Sequence, residues 1–143
     1  MGINNFDEAA AARLSRVPIP WVKHEAKSAG DPCKAQLIAL AGLEGYGRWW
    51  RLVELVADNP SHSIPRHDEK GYKAYLLGLM FTDAEEFEGF ISTLLDLDLV
   101  ITDEYGRRVI PLVEAAALDV GMSRLNGSKG GKAAAANRKR KQG

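Results

Sequence analysis

Thr82-Asp83-Ala84-Glu85, followed by Phe87, Phe90, Ile91, Leu94 and Leu95, constrains this chain more than any other stretch. The first four residues match a capping box, in which the Thr hydroxyl and the Glu carboxylate each satisfy a backbone N–H. The apolar residues recur at i, i+3, i+4, i+7 and i+8, one face of a helix. That face must be buried against other elements. Directly after it come Leu99–Thr102, then Asp103-Glu104-Tyr105-Gly106, then Arg107–Ile110. Glycine closes a turn between two β-branched runs, so this segment reads as a β-hairpin. A single hairpin is marginal alone, so it must rest on helices.

The remaining segments supply them. Asn5 caps an Ala-rich helix over 6–16, ended by Pro18 and Pro20. Asp31-Pro32 reads as N-cap and first helical residue. The helix that follows is expected to bury Leu37, Ile38, Leu40 and Ala41 and to stop near Gly42. Gly45-Tyr46-Gly47 then links tightly into a helix over 46–57, with Tyr46, Trp49, Val53 and Val56 at helical spacing. Ser63-Ile64-Pro65 reads as an edge strand, because Pro cannot donate to a ladder. Asp68 is expected to cap a helix carrying Tyr72, Tyr75, Leu76 and Leu79, and Pro111 opens a last helix with Leu112, Val113, Ala116, Leu118 and Val120. Beyond residue 126, Gly, Ser, Lys, Asn and Ala dominate, and this stretch is expected to lack stable structure.

At 143 residues there is room for one domain with a core. Cys33 is the only cysteine, which excludes an intrachain disulfide and fits a cytosolic setting. No apolar run reaches the roughly 18 residues of a membrane span. The N-terminus lacks a secretory pattern, and Phe6 stands where myristoylation wants Ser or Thr.

The element order predicts a mainly α fold with a small β-hairpin. It is the order of a winged helix-turn-helix with an extra N-terminal helix, a C-terminal helix and a basic tail. Residues 1–20 form a helical arm, 21–122 the winged-helix domain and 123–143 a flexible basic tail. The hairpin 99–110 is the expected wing, and the helix over 83–96 takes the recognition position.

Four segments carry a family resemblance. They are Trp21-Val22-Lys23-His24-Glu25, Asp31-Pro32-Cys33-Lys34, Gly45-Tyr46-Gly47-Arg48-Trp49-Trp50 and Leu52-Val53-Glu54. Together they resemble the N-terminal winged-helix domain of DnaD-like proteins and phage replisome organisers. Ser128-Lys129-Gly130-Gly131-Lys132-Ala133-Ala134 is similar to the Gly-Gly-Lys-Ala linker of such proteins. The resemblance implies a non-enzymatic role in starting DNA replication in a bacterial host cytoplasm. It further implies self-association and recruitment of a replicative helicase or its loader. The second domain of longer relatives is expected to be missing.

Charge departs from that pattern. Of 19 basic residues, seven fall in Val120–Gly143: Arg124, Lys129, Lys132, Arg138, Lys139, Arg140 and Lys141. That stretch has no acidic residue, so residues 1–119 keep twelve basic groups against all 19 acidic ones, −7 opposite the tail's +7. The recognition-position helix is itself acidic: between Asp83 and Asp98 stand Asp83, Glu85, Glu86, Glu88, Asp96 and Asp98, with no Lys, Arg, Asn or Gln. Major-groove reading needs those missing side chains, and phosphates need cations. Nonspecific DNA contact is therefore assigned to Lys129, Lys132, Arg138, Lys139, Arg140 and Lys141, with Arg107 and Arg108 of the hairpin. Glu85, Glu86 and Glu88 are assigned to a basic protein partner. The alternative is a protein-interaction module that binds no DNA, its tail only a tether.

Other features read as structural. Arg107 and Arg108 also suit neutralisation of Asp103 and Glu104. Tyr46, Trp49 and Trp50 suit core packing better than base stacking, with one tryptophan turned outward. His24, His62, His67 and Cys33 match no zinc spacing. Ser128–Ala133 is no phosphate loop, and no triad-like arrangement suggests catalysis. No cofactor or metal is expected.

Overall fold

The computed structural model describes the backbone of residues 16–142 and the side chains of residues 16–127. The expected N-terminal helix over 6–16 lies almost wholly outside the described residues. A short 3₁₀ turn, Ala26–Gly30, leads into α1 (Pro32–Ala57). Strand β1 (Ser63–Ile64), α2 (Tyr72–Gly78) and α3 (Ala84–Asp96) follow. Strands β2 (Ile101–Thr102) and β3 (Arg108–Val109) and the long helix α4 (Pro111–Gln142) complete the chain. The architecture is mainly helical with a small three-stranded antiparallel sheet.

Helix α1 starts as its sequence requires. Asp31 accepts from Cys33 N at 2.9 Å, and Pro32 takes the first position, where no N–H is needed. The break falls at Gly42 alone (φ 71°, ψ −177°), not over a longer Gly45–Gly47 link. Glycine adopts that conformation without a Cβ penalty. Both Gly45 and Gly47 are helical, and Gly45 is buried. Before the break only Leu37 is buried, while Ile38 and Leu40 face outward, against expectation. The first half is narrow-faced because it meets the core along one edge. After the break Trp49, Leu52, Val53 and Val56 are all buried. This half packs on α2, α3 and α4 and forms the centre of the molecule.

Helix α2 begins at Tyr72, later than expected. Gly71, not Asp68, precedes it, and Arg66–Lys70 form turns. It ends in a Schellman arrangement: Phe81 N donates to Leu76 O and Met80 N to Leu77 O, with Met80 left-handed at φ 65°. Arg48 of α1 caps this end, its Nε donating to Leu79 O at 2.9 Å and its guanidinium lying 4.1 Å over the Phe81 ring.

Helix α3 carries the predicted stripe, with Phe87, Phe90, Ile91 and Leu94 buried. Its cap is shifted by one residue. Asp83 accepts from Glu86 N at 2.8 Å, and Thr82 instead donates to the Glu86 carboxylate at 3.4 Å. A carboxylate at the cap suits the positive helix end better than a hydroxyl. The helix closes with a second Schellman arrangement around left-handed Asp98 (φ 58°).

The sheet order is β1-β3-β2, with Ser63 opposite Val109 and Ile101 also opposite Val109. β1 is an edge strand, as Pro65 demands. The hairpin is shorter than its sequence run, because Asp103 organises the whole turn. Its Oδ1 accepts from Tyr105 N and Arg107 N, and Gly106 closes the turn at φ +78°. Helix α4 continues to Gln142, past the end expected near residue 122. No proline follows Pro111, and Ala133–Ala136 and the Lys and Arg residues are good helix formers. Among the described residues no helix is long and apolar enough to cross a membrane.

Candidate nucleic-acid and partner surfaces

The acidic face belongs to α3. Its apolar stripe fixes the rotation of the helix and leaves Glu85 and Glu86 exposed in the first turn. There they complement the positive end of the helix. Glu88 is placed differently. One carboxylate oxygen accepts from Tyr72 Oη at 2.8 Å, and the other from Arg108 Nη1 at 2.7 Å. Burial first, and then the bond to Glu88, push the Tyr72 hydroxyl up to about 12.

Arg108 is 5 % exposed. Its other terminal nitrogen donates to Pro65 O, so one guanidinium ties β3 to α3 and to the residue after β1. A phosphate cannot reach it. Arg108 therefore lies inside the protein, and its carboxylate is Glu88 rather than Asp103 or Glu104. Sequence cannot signal this pair, since 20 residues separate its members. β3 is the central strand and both its residues are buried.

Arg107 is half-buried at the turn. It donates through Nε to Asp103 Oδ2 at 2.9 Å. Desolvation raises the Asp103 pKa, but hydrogen bonds from Arg107 and Tyr105 outweigh it and hold the carboxyl below its ordinary value. Arg66 donates from Nη2 to Gly106 O at 2.5 Å, tying the segment after β1 to the same turn. Arg66, Lys70 and Lys73 are exposed and have no ion pair among the described residues. Their sequence does not single them out, because Asp68 and Glu69 lie between them.

Arg124 is exposed on α4. Lys129, Lys132, Arg138, Lys139, Arg140 and Lys141 continue the same helical backbone, and their side chains lie outside the described residues. The tail cations are thus carried on an extension of the helix whose first turns hold Val113 and Ala117 in the core.

Trp49 is buried and Trp50 half-buried. His24 stacks on Trp50 at 3.8 Å, and Lys34 Nζ lies 5.3 Å from the same ring centre. These rings are core and its cover, not an open platform. His62 is buried with Nε2 2.7 Å from Val17 O, pinning the segment before α1 to the β1 strand. Among the described residues no group of three His, Cys, Asp or Glu side chains is placed to hold a metal. No family model, curated protein or solved structure matches this chain.

Proposed function

We propose that this chain is a non-enzymatic DNA-replication initiation module of the DnaD-like, replisome-organiser kind. Its body is a winged helix that faces proteins, and its basic α4 extension holds DNA without sequence preference. The observation that carries the reading is the separation of charge between two elements. Glu85 and Glu86 stand exposed on α3, while seven cations without an acidic neighbour run along the end of α4. The β1-β3-β2 order, with α2 and α3 between β1 and β2, supports the winged-helix assignment. Exposed Leu40, Leu43 and Met80 support self-association. A replicative helicase or its loader, presenting a basic patch to α3, is the proposed partner.

The test is electrophoretic mobility of a DNA duplex at low salt. The intact chain is expected to retard it. A chain with Lys129, Lys132, Arg138, Lys139, Arg140 and Lys141 changed to Gln is not. No retardation by the intact chain rejects the reading. That result favours the second reading, a protein-interaction module without DNA, which the exposed carboxylates of α3 support.

A further inference from the structure

A groove of about 1220 Å³ runs between the segment 21–34 and the first turns of α4. Leu112, Ala116 and Val120 give it an apolar floor, and Trp21 stands at its rim. Trp21 is 71 % exposed and has no aromatic partner among the described residues. An indole left this open forgoes burial that Trp49 and Trp50 obtain nearby.

The groove also carries cations. Lys23 and Lys27 both reach Glu25, at 3.4 and 2.8 Å, so two lysines share one carboxylate. The hydrogen bond from Lys27, with Lys23 behind it, lowers the Glu25 pKa. Asp31 is engaged by Cys33 N and by Lys34 at 3.8 Å. Arg124, at the α4 wall, has no ion pair among the described residues. Asp119 is the carboxylate left opposing it.

We infer that this groove binds single-stranded nucleic acid. One unpaired base stacks on Trp21, and the flanking phosphates lie against Lys23, Lys27 and Arg124. An open aromatic face beside cations is the arrangement that single strands use. In a duplex each base face is already covered by its neighbours, so Trp21 has nothing to stack on. The inference rests on the proposed DNA contact of the α4 extension. The same helix forms one wall of the groove, and its backbone continues into the segment that carries Lys129 to Lys141.

Fluorescence anisotropy of a labelled oligothymidine and of a duplex of equal length, with the full chain, tests this. Trp21→Ala is expected to weaken oligothymidine binding about fivefold to a hundredfold and to leave duplex binding unchanged. Trp21→Phe keeps most of the affinity, and Asp119→Asn tightens it. Far-UV circular dichroism checks that each variant is folded. Equal oligothymidine affinity for wild type and Trp21→Ala overturns the groove while leaving tail-mediated DNA binding intact. Failure of the wild type to bind either probe overturns both.

Discussion

Arg108 and Glu88 meet at 2.7 Å, joining the central strand of the sheet to helix α3. The arginine is nearly sealed from water, whereas the glutamate remains partly open. Removing the arginine leaves a carboxylate and Pro65 O without their shared donor. Arg108→Ala should cost about 3 kcal/mol in urea unfolding, near the low end for breaking a buried pair. Arg107→Ala should cost no more than about 1 kcal/mol, as the Asp103 turn keeps its backbone bonds. Glu88→Gln combined with Arg108→Met should recover only the part of the loss that comes from the orphaned carboxylate, since Gln still accepts from Tyr72 while Pro65 O stays unpaired. Equal costs for the two arginines would contradict this arrangement.

Tyr72 donates to the same glutamate, and this gives the fold an alkaline limit. Its hydroxyl ionises near 12 in the folded chain against an ordinary 10.0. The folded pKa is raised, so the associated stability is complete below pH 10 and is lost as pH climbs from 10 to 12. Unfolding free energies measured at pH 9 and at pH 12 should differ by about 2 kcal/mol more for wild type than for Tyr72→Phe. Parallel pH profiles for the two proteins would refute the assignment.

Gly45 and Gly47 share one helical stretch of α1 but should answer alanine in opposite ways. A Cβ at Gly45 would meet Ala41 Cβ at 2.3 Å, because the break at Gly42 folds the two halves of α1 toward each other. Nothing lies within 4 Å of a Cβ at Gly47. Gly45→Ala should destabilise by about 1–3 kcal/mol. Gly47→Ala should stabilise by about 0.5–1 kcal/mol through helix propensity. Thermal melts of the two variants decide the matter by their sign.

Met80 is left-handed at φ 65° and 81 % exposed, so its side chain contributes little to set against its backbone strain. Met80→Gly should stabilise by about 1 kcal/mol, raising Tm by roughly 2–4 °C for a chain of this size. Asp98→Gly should gain less, since Asp tolerates the left-handed region better than Met. An unchanged or lowered Tm for Met80→Gly would show that its backbone carries no strain.

The proposed DNA contact by the α4 extension predicts a measurable charge number. Changing Arg138, Lys139, Arg140 and Lys141 to Gln should reduce the slope of log K against log salt by up to about 3.6, at roughly 0.9 for each phosphate no longer neutralised. Arg108→Lys should leave that slope unaltered. A slope insensitive to the four tail changes would remove the tail from the interface.

Local rules in the sequence are strong where one residue acts on its near neighbours. Asp31-Pro32, the α3 stripe, the Gly106 turn and the edge placement of β1 all follow from short-range chemistry and appear in the structure. Long-range partners leave no such trace. Arg48 caps α2 from 31 residues away, and His62 reaches Val17 across 45. Glu88 and Arg108 look like surface charges in sequence because nothing local reveals that they face each other. The groove beside Trp21 is equally hidden, since α4 supplies its opposite wall.

Each strand of the sheet is only two residues long. An incoming strand would find too few free N–H and C=O groups at either border to extend the ladder. The protein thereby resists edge-to-edge aggregation without placing a charge or proline on every border position. Among the described residues, the surface left to a neighbouring molecule is that of the helices and connecting segments.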